Sequence, residues 1–184
     1  MTLSPDRRKL YVTNLGMFEY QALPGADMKQ AGATGLAFPA FGFPSAEALA
    51  GAERTTLRGP VRVPGLGEPN VRESNSVSVV DVSTPATPKL ETFIRTGLPF
   101  GPTVHGGSSP SGILAAAGRV FVSNANDDTI TVIDAKTEAV EAEIPIRIPG
   151  LERYRGVLPI GLAYYEKSGW LLVAEAGMIG RAHV

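Results

Sequence analysis

The stretch from 119 to 134, RVFVSNANDDTITVID, sets apolar and polar positions in alternation on either side of a polar turn. β-Branched and aromatic residues dominate 120–123 and 129–133, and a period of two puts Ile130 and Val132 on one face. Between the two runs, Asn124, Asn126, Asp127 and Asp128 tolerate left-handed backbone and can bond their own turn. The pattern predicts a β-hairpin. It is then written again in pieces. LYVTN at 10–14 repeats the first strand, NSVSVVD at 75–81 the second, and WLLVAE at 170–175 the first once more. A chain that restates one hairpin is a repeat protein.

Taken in order, four strand types, A to D, recur. Residues 3–6 read as the tail of an A strand, 9–14 as B, 76–82 as C and 90–95 as D. A second set follows at 112–116, 120–123, 129–133 and 139–146, then a third A at 160–164 and a third B at 170–175. Pro145, late in its D strand, suits an outer edge whose backbone has no partner. Between the first B and C strands lies a Gly/Pro-rich insertion, residues 15–74. One short helix is expected there, over AEALAGAE with Ser45 as its cap and Glu47 near its positive end. Phe38, Phe41 and Phe43 are expected to pin the insertion down.

LYVTN followed by NSVSVVDV, and FVSNANDDTITVIDA, resemble the repeat of the YVTN family of β-propellers. Its blades carry a Y-V-[TS]-N strand and a [TS]-[VI]-[ST]-V-[IV]-D strand. The resemblance implies an all-β fold, with about two and a half four-stranded antiparallel blades of a larger ring and a long B–C loop insertion. Equivalent positions (Asp81 and Asp134, Val122 and Val173) recur at about 50 residues, against about 40–45 for a bare blade, and the D–A loops hold the excess. Residues 3–14 are similar to the family's L-S-P-D-G-[RK]-x-L-Y-V-T-N run, with Arg7 in place of Gly. Met1 therefore reads as an internal methionine preceded by further blades. Residues 179–184 resemble a translated sequencing adapter and read as a non-native tail, leaving 1–178 as a partial propeller. Val12, Val79, Ile133 and Leu172 are expected on blade faces that such a cut would leave bare.

Composition narrows the function classes. Charged residues make up only 19% and hydrophobic ones 43%, the mix of a globular domain. A net charge of −1 gives no general electrostatic attraction to nucleic acid or an anionic membrane, and no apolar run is long enough to span a bilayer. With no cysteine there is no thiol nucleophile and no cysteine-based zinc site.

In an up-and-down blade, B–C and D–A loops share one end, and A–B and C–D turns the other. Every long loop here is of the first kind, so that end is the expected functional surface. The candidate binding residues on it are Arg62, Arg72, His105, Arg147, Arg153 and Arg155. RVPGL at 62–66 and RIPGL at 147–151 match, and guanidinium groups clamp carboxylate or phosphate. The preferred expectation is plainer: these arginines brace their loops against acids such as Glu68, Glu73 and Glu152. His105 lies among glycines without a second histidine or a carboxylate pair, which is poor evidence for a metal. Residues 124–128 lack the spacing of a calcium loop and read as turn chemistry. Residues 106–112 lack the G-x-S-x-G order, and no helix pattern follows GLGEPN, so neither a hydrolase nucleophile nor a dinucleotide fingerprint is expected. No catalytic residue, metal or cofactor is expected.

The resemblance implies a non-catalytic binding or scaffold module whose partners are a ligand or partner domain and the remaining blades. The particular sequence is similar to propellers of large bacterial proteins, some carrying an alkaline-phosphatase-like phosphoesterase domain after the propeller. It implies a periplasmic or extracellular location. The competing expectation is part of a propeller enzyme, quinoprotein-dehydrogenase-like or lactonase-like, with its site in the central funnel.

Overall fold

The computed structural model describes residues 1–15, 46–56, 59–64, 72–97, 107–153 and 155–177. His105, Ser45, Glu68, Phe38, Phe41 and Phe43 lie outside the described residues. The elements run β1 (Thr2–Leu3), β2 (Lys9–Asn14), α1 (Ala46–Ala50), β3 (Gly51–Thr56), β4 (Gly59–Pro64), β5 (Ser76–Asp81) and β6 (Lys89–Arg95). They continue with β7 (Pro110–Ala116), β8 (Arg119–Asn124), β9 (Thr129–Asp134), β10 (Val140–Pro145), β11 (Pro159–Tyr165) and β12 (Trp170–Glu175).

These strands form two four-stranded antiparallel sheets, ordered β1-β2-β5-β6 and β10-β9-β8-β7, and two hairpins, β11-β12 and β3-β4. Each large sheet is an up-and-down meander, interrupted in the first only by the insertion between β2 and β5. The fold is all-β and built of propeller-type blades, as the strand pattern predicts. The chain divides into two compact units, Met1–Gly16 with Arg72–Val184, and Met17–Val71. Both blades and β11-β12 belong to the first; α1, β3 and β4 belong to the second.

Alternation along the strands decides how the blades stack. Tyr11, Val77, Val79 and Ile94 of the first blade form one core with Val120, Val122 and Ile133 of the second. The other face of the second blade, Phe121, Ile130 and Val132, packs on Leu162, Tyr164, Leu171 and Val173 of β11-β12. The rings of Phe121 and Tyr164 stack with centroids 6.1 Å apart. Burying each such aliphatic side chain is worth about 1.5–3 kcal/mol, so these two seams hold the unit together. Val79 and Ile133, expected on bare faces, are fully buried in the first seam, because their side of the strand meets a neighbouring blade. Leu172 is exposed, as expected, at 53%. Gly112 is needed where β7 passes β11: a Cβ there would lie 2.4 Å from the Ile160 carbonyl oxygen.

The insertion departs from the expectation in one respect. The helix stops at Ala50, and residues 51–56 pair with 59–64 in the β3-β4 hairpin, with Glu53 opposite Arg62 and Arg54 opposite Val61. Pro60 and Pro64 argue against a central strand, but in a two-stranded ribbon their missing N–H groups can face outward.

Candidate functional site

The register fixes which connections share an end. Asn14 pairs with Ser76 and Ser76 with Arg95, so the B–C corner and the start of the loop after β6 lie together. In the second blade Pro110, Asn124, Thr129 and Pro145 are likewise aligned across the sheet. The loop after β6 therefore arrives at β7 on the same end, and the loop after β10 leaves from it. At this end the asparagine closing each B strand has a definite task. Asn14 Nδ2 donates to Ser76 Oγ (3.1 Å) and Ser78 Oγ (2.7 Å). Asn124 Nδ2 donates to Thr129 Oγ1 (3.0 Å) and Thr131 Oγ1 (2.8 Å). The alternating hydroxyls of the C strand are what the B-strand amide holds.

A second repeated device ties each blade to the loop entering the next. Asn75 and Asp128 both precede a C strand, both have left-handed backbone (φ 47° and 53°), and both are buried. Asn75 Oδ1 accepts from Ser109 N–H at 3.2 Å. Asp128 Oδ2 accepts from Gly156 N–H at 2.7 Å and its Oδ1 from Leu158 N–H at 2.9 Å. Their carbonyls are used alike, Asn75 O taking Thr96 N–H and Asp128 O taking Ile146 N–H just after each D strand. The captured loops match too. Ser109 and Leu158 both have positive φ, and their carbonyls accept from Ala125 and Ala176 respectively. Gly107 is required beside this clasp, since a Cβ on it would overlap the Asn75 side-chain amide at 2.0–2.3 Å.

Between the first two blades the polar contacts continue. Gly97 N–H is shared by Thr131 Oγ1 (3.0 Å) and Glu143 Oε1 (3.1 Å), and Thr131 Oγ1 donates to Glu143 Oε1 at 2.6 Å. Asn75 Nδ2, Asn124 Oδ1 and Glu143 Oε2 are buried without a hydrogen-bond partner. Such groups are commonly met by ordered water. None of Asn75, Asp128 and Glu143 is among the sequence-derived candidates. The signal that would have found the clasps is the repeat of G-x-x-P at 107–110 and 156–159, each matched to an Asx residue before a C strand.

The candidate arginines divide between the two compact units. Arg62 is in the second, where it donates to the Ala50 carbonyl at 2.9 Å. In the first, Arg147 Nη1 donates to Ile146 O (2.6 Å) and Asp128 O (3.2 Å), and Arg155 Nη1 to Asp127 O (3.1 Å). These two bind around the Asp128 clasp. Arg72 lies elsewhere, over the Phe93 ring at 5.7 Å and bonded to Thr92 Oγ1 at 3.2 Å. Arg153 is engaged as well. The partners described here for Arg62, Arg72, Arg147 and Arg155 are backbone carbonyls, a hydroxyl and a ring, where acids were expected. Glu152, one of the acids named, accepts instead from Gly150 N–H at 2.7 Å, which holds its carboxyl below the usual range. Among the described residues no group of three or more His, Asp or Glu side chains could hold a metal ion.

The opposite end carries the short turns. Asp81 Oδ1 accepts from Ser83 N–H, and Asp134 Oδ1 from Lys136 N–H, Thr137 N–H and Thr137 Oγ1. These bonds depress both carboxyl pKa values, for Asp134 chiefly through the Thr137 amide and for Asp81 chiefly through Ser83. Lys9 reaches from β2 to Glu91 (3.2 Å) and to Glu138 of the second blade, and the Glu138 bond foremost raises its pKa. Arg7 takes the left-handed position (φ 58°) that glycine fills more easily.

Fold and loop-end geometry define a β-propeller-type module. No family model and no curated protein matches the chain. Among solved structures it is similar to selenomethionine-substituted virginiamycin B lyase from Staphylococcus aureus, at 13% identity and a TM-score of 0.37. The match covers 91% of this chain and 53% of that one, so this chain spans about half its length. At that TM-score the likeness carries no argument, and the fold rests on the sheets themselves.

Proposed function

We propose that this chain is a YVTN-type propeller segment acting as a non-catalytic binding or scaffold module, with its ligand or partner domain on the B–C/D–A end. The observation that supports this reading is the repeated clasp. Asn75 and Asp128 fasten successive D–A loops to the blades with backbone-directed bonds, giving a binding surface whose shape is set before a ligand arrives. Arg147 and Arg155, already placed by carbonyls around Asp128, keep further donors for a carboxylate or phosphate. In the same reading the parent is a bacterial envelope or exported protein, and any phosphoesterase chemistry belongs to a separate domain.

The test is a backbone-amide NMR titration of the full chain with citrate and with inorganic phosphate. Saturable shifts centred on residues 146–157, weakened in Arg155→Ala, are expected. Shifts confined to the turns at 83–88 and 135–139, or none at either end, would overturn the assignment of the binding end.

A further inference from the structure

The seams on either side of the second blade differ at one register position. In the seam with β11-β12, Tyr164 pairs across its hairpin with Leu171 and stacks on Phe121. In the seam with the first blade the equivalent residue is Ala115, which pairs with Val120 and packs on the core that holds Tyr11. Tyr11 and Phe121 are themselves equivalent, each opening its YVTN-like run. An alanine thus stands where the neighbouring seam has a tyrosine.

A pocket of about 300 Å³ lies there, between Pro5, Lys9 and Tyr11 of the first blade and Gly118, Ala135 and Lys136 of the second. That volume is at the lower end for small-molecule sites. Its walls come from β2 and from turns internal to the blades: 4–8 between β1 and β2, 117–118 between β7 and β8, and 135–139 between β9 and β10. The position matches that of the Tyr164 side chain. Tyr164 Oη lies 3.6 Å from where a Cβ on Gly169 would be, in the turn before β12. Gly118 holds the same place before β8, and a Cβ on it would meet nothing within 4 Å. The framing ion pairs match as well, Arg119 with Glu141 and Lys9 with Glu91. Tyr11 adds what Phe121 lacks. Its Oη is buried without a hydrogen-bond partner, and burial above all raises its pKa, so it remains a donor at neutral pH. A buried hydroxyl left unpaired costs about 1–3 kcal/mol, which favours a ligand that brings it a partner.

We propose that this pocket binds a small single-ring phenol, the ring taking the place of Tyr164 in the next seam and the hydroxyl bonding Tyr11 Oη. The site is at the short-turn end and is independent of the loop-end surface. The probe is para-cresol, titrated into the full chain and followed by backbone-amide NMR, with toluene as the ring alone. Saturable shifts are expected at Lys9, Gly118 and Ala135, and para-cresol should bind about fivefold more tightly than toluene. Tyr11→Phe should remove that preference and leave toluene binding intact. Ala115→Tyr, which rebuilds the neighbouring seam, should abolish the shifts; if it loses the dispersed spectrum of the parent, the preference measured in Tyr11→Phe decides. The proposal is overturned by any of three results. These are no saturable shift at millimolar para-cresol, which would leave Tyr11 to water; toluene bound as tightly as para-cresol, or a preference undiminished in Tyr11→Phe; and shifts that persist in a folded Ala115→Tyr.

Discussion

The two ends of the blades are held by bonds of different reach. At the short-turn end, Asp81 and Asp134 bond partners two or three residues away. Among the described residues, the ion pair of Lys9 with Glu138 is the side-chain link from blade to blade there, and a partly exposed pair of this kind contributes little. At the loop end, the bonds of Asn75, Asp128 and Gly97 span 28 to 46 residues and join one blade to the loop or strand of the next. Each short turn is thus specified by its own few residues, whereas the loop end is specified only when two blades are in place. That end can be rigid without being regular, and a binding surface needs such rigidity.

Breaking the loop-end bonds should therefore cost more than breaking the turns. The largest effect is expected for Asp128→Ala, which strands the N–H groups of Gly156 and Leu158. A loss of about 3 kcal/mol in urea unfolding is expected, with new proteolytic cleavage within 147–157. Asp128→Asn, keeping an acceptor and the backbone preference, should lose less than half of that. If the alanine variant is as stable as the parent, the loop is fixed by something other than this carboxylate.

Gly112→Ala should follow at about 2 kcal/mol, since the added carbon must displace the Ile160 carbonyl. Its signature is a loosened β11-β12 hairpin, seen as faster amide exchange at Leu171 and Val173. Asn124→Ala should cost about 1–2 kcal/mol by leaving two buried threonine hydroxyls without their donor. A crystal structure of that variant with water in place of the amide would account for a smaller loss.

The smallest effect belongs to the short turns and depends on pH. The folded-state pKa values of Asp81 and Asp134 lie below the ordinary one. Their contribution is therefore full above the unfolded carboxylate pKa and fades as pH falls through the folded value, below about pH 4. Asp134→Asn should flatten the acid limb of a pH–stability profile while leaving neutral stability nearly unchanged. An unaltered acid limb would place the titrating groups elsewhere.

How much of this is legible in the sequence follows the same division. The strands, their order and the outer position of Pro145 follow from local alternation and punctuation, and the structure bears them out. The B-strand asparagine and C-strand aspartate act on neighbours in pairing or in the next turn, so their motif carries their role. Asp128 misled because its local chemistry looks complete: residues 124–128 suffice to make a turn. That its carboxylate reaches Gly156 and Leu158 depends on the stacking of β11 against the second blade, which no single repeat encodes. The β3-β4 hairpin was hidden for the opposite reason, its two prolines being acceptable because, among the described residues, the ribbon has only two strands.

The most direct measurement is amide hydrogen exchange of the full chain, read at Gly156 and Leu158 against Thr131 and Ile133 in the centre of the second blade. If the clasp makes the loop part of the blade, the two loop amides exchange only with the same opening as the strand. Exchange at the rate of an exposed loop, with the strand still protected, would mean that the Asp128 bonds are transient and the loop end is not a preset surface.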